Sequence, residues 1–483
     1  METMNSTNIL KNDGRYMQDI WKPVDDKGKE PRLFVFAAGG TGMRVVEALA
    51  ILTAAGYMNE SQHTIVPILF DFDQENGNLC QAETCLKLYR QLHQSSSATS
   101  FFWHRITPLY QNNMSFLFDM ECNDDSLYDK YRLHDLFKKY DLLKKLSESL
   151  FGNLDMPKSF LRTSRIGSSS FYDHAPCNYA RMLLGDLSQK DDFAKLFSQV
   201  GSEDAFVVVG STYGNTGIAS IFELANTLYC HFRPMRKAAV MLQPFFETTS
   251  TDISAMDYED EEMKMRSKDT LKFFTDHQIA DKFNCTYYIG AETLSKLQLQ
   301  LGGQQQQTPF SIFELLAVTA IADFMKRTDE ELRIQKSFCF SMPKQRPDGF
   351  YLDDLCATDV GKKVAECLIR FSLAMKYVYE NETNVDDGVW KALKHFANLY
   401  YQWIESMSCV DGGNGLFLFR LKDSQYSKIL IDREFVKHRM LFNAQLFNEN
   451  TFIQAMGRRE DGQIERLTRA SDYIFDNFIS SSL

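Results

Sequence analysis

Ala205-Phe-Val-Val-Val-Gly-Ser-Thr-Tyr-Gly-Asn-Thr-Gly217 is an apolar run that breaks into a glycine-rich turn and continues as Ile218-Ala-Ser-Ile-Phe-Glu-Leu-Ala-Asn226. A second stretch has the same form. Arg32-Leu-Phe-Val-Phe-Ala-Ala-Gly-Gly-Thr-Gly-Met-Arg44 leads into Val45-Val-Glu-Ala-Leu-Ala-Ile-Leu52. Each reads as strand, turn, helix. Glycine allows positive φ and a close approach of backbone to a ligand. A helix starting there points free N–H groups and its positive dipole end outward. That is phosphate-binding architecture. Two such turns in one chain predict a single nucleotide held from two sides. Gly39, Gly40, Thr41 and Gly42 form the first turn; Gly210, Gly214, Asn215, Thr216 and Gly217 form the second. Thr216 offers a hydroxyl and Asn215 an amide to phosphate oxygens. The plainer reading of both is a sharp strand-to-helix turn, with Thr216 as an N-cap. Both turns follow strands, and open α/β sheets bind ligands at strand C-termini.

The 483-residue chain is 44% hydrophobic and 24% charged, with a net charge of -11. Its length suggests two to three domains. The acidic balance argues against a general nucleic-acid partner, because neutralising phosphates takes a basic surface. No apolar run approaches a bilayer span. Met1-Glu-Thr-Met-Asn-Ser-Thr7 lacks the basic and apolar regions of a signal peptide. Ten cysteines are scattered from Cys80 to Cys409 without a CxxC, as expected of reduced thiols in a cytoplasmic protein. No cluster has zinc spacing. There is no Gly-x-Ser-x-Gly elbow and no Walker loop ending in Gly-Lys-Ser/Thr, which excludes an ordinary P-loop NTPase.

Outward from the two turns, residues 1–30 are polar and read as an extension. Strand 33–37 precedes a helix from about Met43 to Ala55. Thr64–Phe70 is an apolar strand ending in Asp71-Phe-Asp73, and residues 79–92 have helical spacing. Residues 94–160 interrupt this rhythm as an elaboration, with an amphipathic helix from Asp135 to Leu150. Strands follow at 206–209, 238–246 and 285–290. Met256 to Arg266 is acidic and is expected to be mobile. A breaker at 302–309 introduces a long apolar helix, Phe310 to Arg327. Strands alternating with helices imply a doubly wound parallel sheet, an α/β nucleotide-binding domain over 31–330. Beyond it, 331–483 reads as a second, helix-rich α+β domain, with helices at 360–379 and 388–407 and strands at 415–420 and 428–431.

The sequence of features is a glycine loop, an acidic strand end, a glycine-rich loop after a later strand, then a long central helix. Over residues 31–330 it resembles the tubulin/FtsZ superfamily, in particular its divergent bacterial tubulin-like members. Gly210–Gly217 is a stretched version of that family's signature loop with its central Thr-Gly. The resemblance implies GTP or another purine nucleotide with Mg2+, bound by a protein that assembles head to tail with copies of itself. It places Asp71 and Asp73 near ribose, phosphate or metal, with Asn76 adding amide contacts. It makes Phe310 a stacking partner of the base and Glu314, one turn on, a reader of the guanine edge; plain core is the other reading of Phe310. Arg165-Ile-Gly-Ser-Ser-Ser170 is a γ-phosphate loop or a serine-rich cap. Asp353 and Asp354 are the candidates for the acidic loop that completes a neighbouring subunit's catalytic site, a solvated turn being the alternative. Two other functions stay open. One is a tubulin-like scaffold that binds partner proteins without hydrolysis. The other is a Rossmann-type NAD(P)-dependent enzyme built on Gly40-x-Gly42, against which Val45 stands where a third small residue is needed.

Overall fold

The computed structural model describes residues 30–71, 76–109, 116–117, 193, 196, 199–248, 260–290, 295–297, 310–340, 358–380, 388–407, 454, 457 and 462–479. Six apolar segments form one sheet: β1 (Arg32–Ala38), β2 (Thr64–Phe70), β3 (Ala205–Ser211), β4 (Arg236–Leu242), β6 (Cys285–Ile289) and β8 (Ser337–Phe340). The order is β2-β1-β3-β4-β6-β8 and every pairing is parallel. β2 and β3 are buried on both faces along their whole length, as a parallel sheet covered on both sides requires. β5 (Phe246–Thr248) and β7 (Ser295–Leu297) form a separate parallel pair, so the apolar stretch expected as one strand over 238–246 is divided between two sheets.

Beyond β2, among the described residues, the sheet continues as isolated parallel bridges, Ile65 to Ile106 and Leu69 to Leu117. Pro67 lies between the two bridging residues and has no N–H to give. Pro67 therefore donates no edge hydrogen bond between them.

Alternation along each strand divides the core in two. Leu33, Val35 and Ala37 face one way, against α1 (Gly39–Ala54), α2 (Gly77–His93), α5 (Ile312–Lys326), α7 (Asp359–Glu380), α8 (Gly388–Met407) and α9 (Gln463–Ile474). Phe34, Phe36, Phe206 and Val208 face the other way, against α3 (Asn215–His231). Phe34 and Phe206 stack across β1 and β3 with centroids 5.4 Å apart. Helices thus cover both faces.

Two expectations change. The acidic stretch that looked mobile enters a helix, α4 (Asp260–Asp276), which buries Met263 and Phe274. Residue 331 is not a break in the fold. After α6 (Asp329–Ile334), β8 joins the main sheet, pairing Phe338 with Tyr287. α7 and α8 then pack into the same core, Phe371 against Phe101 at 5.1 Å and Phe396 against Phe102 at 4.8 Å. The open edge of β6 and the apolar outer side of the first helical layer both need cover, and the later segment supplies it. Residues 1–29, 135–150, 165–170, 302–309, 415–420 and 428–431, with Asp73, Asp353 and Asp354, lie outside the described residues.

Candidate functional site

The two glycine turns become the starts of two neighbouring helices. α1 begins at Gly39, four residues earlier than the apolar spacing suggested, with Ala38 as N-cap. α3 begins at Asn215 with Gly214 as N-cap. Neither start has a side-chain cap, and neither first turn carries an acidic residue. β1 and β3 are adjacent strands, so the two starts stand side by side. A Cβ placed on Gly39 would lie 3.4 Å from Thr216 Cβ and 3.6 Å from the Gly217 nitrogen. β2 follows β1 on one side and β3 pairs on the other, so the chain reverses direction across the sheet at this point. In open α/β sheets the crevice outside such a switch point is where ligands bind.

The glycines divide by role. Gly39 has φ +68°, which its turn out of β1 requires. A Cβ on Gly42 would come within 2.7 Å of the Ala37 carbonyl carbon and 3.1 Å of the Val209 oxygen. Gly42 therefore lets α1 lie directly on β1 and β3. This answers the objection raised from Val45: the close helix–strand approach is made at Gly42, and Val45 is simply core. A Cβ on Gly217 would fall 2.8 Å from both the nitrogen and the oxygen of Ser211, and one on Gly210 would fall 3.3 Å from Gly217 Cα. Those two seat α3 on the end of β3. Gly40, Thr41, Gly214 and Thr216 remain half-buried at the two helix starts.

Side chains tie the turns together. Thr41 Oγ1 and Tyr213 Oη are 3.3 Å apart, joining the first turn to the second. Ser211 Oγ accepts the Gly214 N–H at 3.0 Å, and Thr212 Oγ1 lies 2.6 Å from Ser267 Oγ. Burial raises the Tyr213 pKa, with Arg44 opposing the shift. One turn beyond Thr41, Arg44 Nη2 pairs with Glu314 Oε1 at 3.0 Å; Arg44 is 3% exposed and Glu314 0%. On the next turn Glu47 accepts a hydrogen bond from Gln81 Nε2 at 3.3 Å, and burial pushes its pKa up to about 8. A buried polar layer thus joins α1 to α2 and α5 beneath the crevice.

This layer corrects the expected base pocket. α5 starts at Ile312, with Ser311 as its N-cap, so Phe310 stands outside the helix and shares no helix face with Glu314. The Phe310 N–H instead donates to Ser406 Oγ at 3.2 Å. Glu314 accepts the Ser311 N–H at 2.7 Å and the Ser311 hydroxyl, closing a capping box, and also holds Arg44. Its carboxylate is fully buried among these partners. At the end of β2, Asp71 is buried and accepts from Asn76 Nδ2 at 3.2 Å, while Asn76 Oδ1 caps α2 by accepting the Asn78 N–H at 2.9 Å. Asp71 and Asn76 therefore sit beside the first turn, at the neighbouring strand end. Sequence reasoning missed Arg44 and Tyr213. Their signal was a lone arginine opening an apolar helix and a lone aromatic inside a run of small residues.

Among the described residues no group of three His, Cys, Asp or Glu side chains could hold a metal ion, and no helix is long and apolar enough to cross a membrane. No protein-family model matches the sequence, and no curated protein does.

Proposed function

We propose that the crevice at the ends of β1 and β3 binds a purine nucleotide, GTP with Mg2+, in a tubulin-like protein that assembles head to tail with copies of itself. One observation carries the binding site. Two helix starts, without side-chain caps and without first-turn acids, stand in contact at the switch point of a parallel sheet. Their free N–H groups and dipole ends favour a polyanion. Thr41 and Thr216 stand in the two first turns with hydroxyls suited to phosphate oxygens. Mg2+ keeps much of its hydration and commonly takes one or two carboxylates besides phosphate oxygens. Asp71, at the neighbouring strand end, is the described carboxylate suited to that role. GTP and head-to-tail assembly come from the family resemblance. Hydrolysis in this reading is completed at the contact between subunits.

Mass identification of the nucleotide released by heating the purified protein tests the site. Guanine nucleotide supports the reading, and a protein that neither carries nor takes up nucleotide refutes it. Light scattering with GTP and Mg2+ over a protein concentration series tests assembly; a flat signal removes that part. A second reading has an observation of its own. Gly42 supplies the close packing that a dinucleotide fingerprint asks of its last small residue, and Asp71 ends β2, where such folds hold a ribose. Recovery of NAD(P) in the same experiment would decide for it.

A further inference from the structure

The opposite edge of the sheet carries a cleft of about 370 Å³, lined by Arg90, His93, Gln94, Arg105, Ile106 and Thr107. Small-molecule sites commonly span roughly 300–1,000 Å³. Two separate elements build this one. Arg90 and His93 stand three apart on the last turn of α2, hence on one face. Residues 105–107 are held against β2, where the Ile65 N–H donates to the Arg105 oxygen and the Thr107 N–H to the Ile65 oxygen, both at 3.0 Å. That pairing turns Ile106 into the core and leaves Arg105 exposed and Thr107 half-buried.

His93 is held in one orientation. Its Nδ1 lies 2.9 Å from the Phe102 carbonyl oxygen, which can only accept, so Nδ1 carries the proton and the ring is fixed with Nε2 on the other side. Among the described residues the lining holds two arginines and a histidine and no carboxylate, in a chain whose net charge is -11. Glu30 approaches Arg105 at 3.6 Å, but the two side chains are 68% and 52% exposed and such a pair is worth little. The Thr107 hydroxyl has only a long 3.5 Å contact with the Pro108 oxygen. Neutralising the C-terminal dipole of α2 accounts for Arg90 and His93. It does not account for the convergence of Arg105 and Thr107 on them from another segment.

We propose that this cleft binds a small phosphomonoester. Its dianion lies between Arg90 and Arg105, with Gln94 and Thr107 donating to the remaining oxygens and His93, doubly protonated in the complex, donating from Nε2. A phosphate offers three oxygens and nearly two charges to such a set, where a carboxylate offers two oxygens and one charge. The cleft lies at the N-terminal end of β2, about 20 Å (one strand length) from the glycine turns. It is therefore independent of the nucleotide crevice.

Calorimetric titration of the full chain with glycerol 3-phosphate, glycerol and malonate tests this, with Arg105→Gln, His93→Gln and Thr216→Asp as variants. Glycerol 3-phosphate should bind saturably and glycerol should not. Arg105→Gln should weaken binding at least about tenfold, the usual scale of a lost charge-assisted bond. Arg105 is half exposed, so that variant should keep the wild-type melting curve. Thr216→Asp, in the other crevice, and saturating GTP should leave glycerol 3-phosphate binding unchanged. Any of four results overturns the proposal: no saturable heat from glycerol 3-phosphate, malonate binding as tightly, displacement by GTP, or wild-type affinity in both Arg105→Gln and His93→Gln.

Discussion

The helix starts of this molecule fall into two kinds, and both occur within a few residues of the same crevice. α5 is closed: Ser311 and Glu314 satisfy each other's end of a capping box, and Glu314 then pairs with Arg44. α6 is closed in the same way by Thr328 and Glu331, and α2 by Asn76. α1 and α3 are open, with Ala38 and Gly214 as caps that bring no side chain. A lone open start is unremarkable; α9 also lacks a side-chain cap, but it carries Glu465 in its first turn. Two open starts in contact, both free of acid, leave the same positive dipole ends and N–H groups facing one space. A capping carboxylate makes a helix start complete in itself. Its absence leaves the start to be completed by solvent or by an anion.

Five substitutions break or sharpen this contrast. The largest effect is expected at the closed start. Glu314→Ala leaves a buried guanidinium without its carboxylate and should cost about 3–5 kcal/mol in chemical denaturation. A loss under about 1 kcal/mol would show that Arg44 and Glu314 are not paired in solution. Next comes the seat of the first open start. Gly42→Val drives side-chain carbon into the Ala37 backbone and should cost about 3 kcal/mol, read as a lower denaturation midpoint. Gly217→Val belongs to the same class, because it meets the Ser211 backbone before it meets any ligand. An unchanged midpoint for either would mean that the helix does not lie on its strand as described.

Thr216→Asp separates stability from binding. An acid in the first turn of α3 should hold stability or raise it by about 0.3–1 kcal/mol. The same charge should repel phosphates and lower GTP affinity at least about tenfold. Labelled-GTP binding equal to that of the unaltered protein would remove the open starts from the phosphate site. The smallest effect is at the closed cap: Ser311→Ala should cost about 1 kcal/mol and leave nucleotide affinity alone. Loss of nucleotide binding in a folded Ser311→Ala protein would place α5 in the site and erase the distinction.

Much of the fold was legible in short stretches. The helices at 360–379 and 388–407 were placed almost to the residue, because their apolar spacing repeats over five turns. The strands at 64–70 and 285–290 were legible as apolar runs bounded by acids or glycine. Less of the candidate site was legible. Phe310 and Glu314 are four apart, which puts them on one face only if both are helical, and Ser311 decides otherwise by capping the helix behind Phe310. The glycines of the two turns looked alike in sequence, yet Gly42 and Gly217 pack against strand backbone, Gly214 sits against the Ser211 hydroxyl, and Gly40 is half-buried.

The sequence by itself determined where backbone conformation changes: apolar runs that form strands, glycines that release them, and the polar residues that open helices. Those are preferences of a few neighbouring residues and need no partner. Only the tertiary structure decided that β1 lies beside β3, that Thr41 meets Tyr213 across 172 positions of chain, and that Arg44 finds Glu314. A contact between distant segments depends on which surfaces come together and which buried charges must then be paired. No local pattern states that outcome, because the energy of burying a charge belongs to the assembled core and not to the segment that carries it.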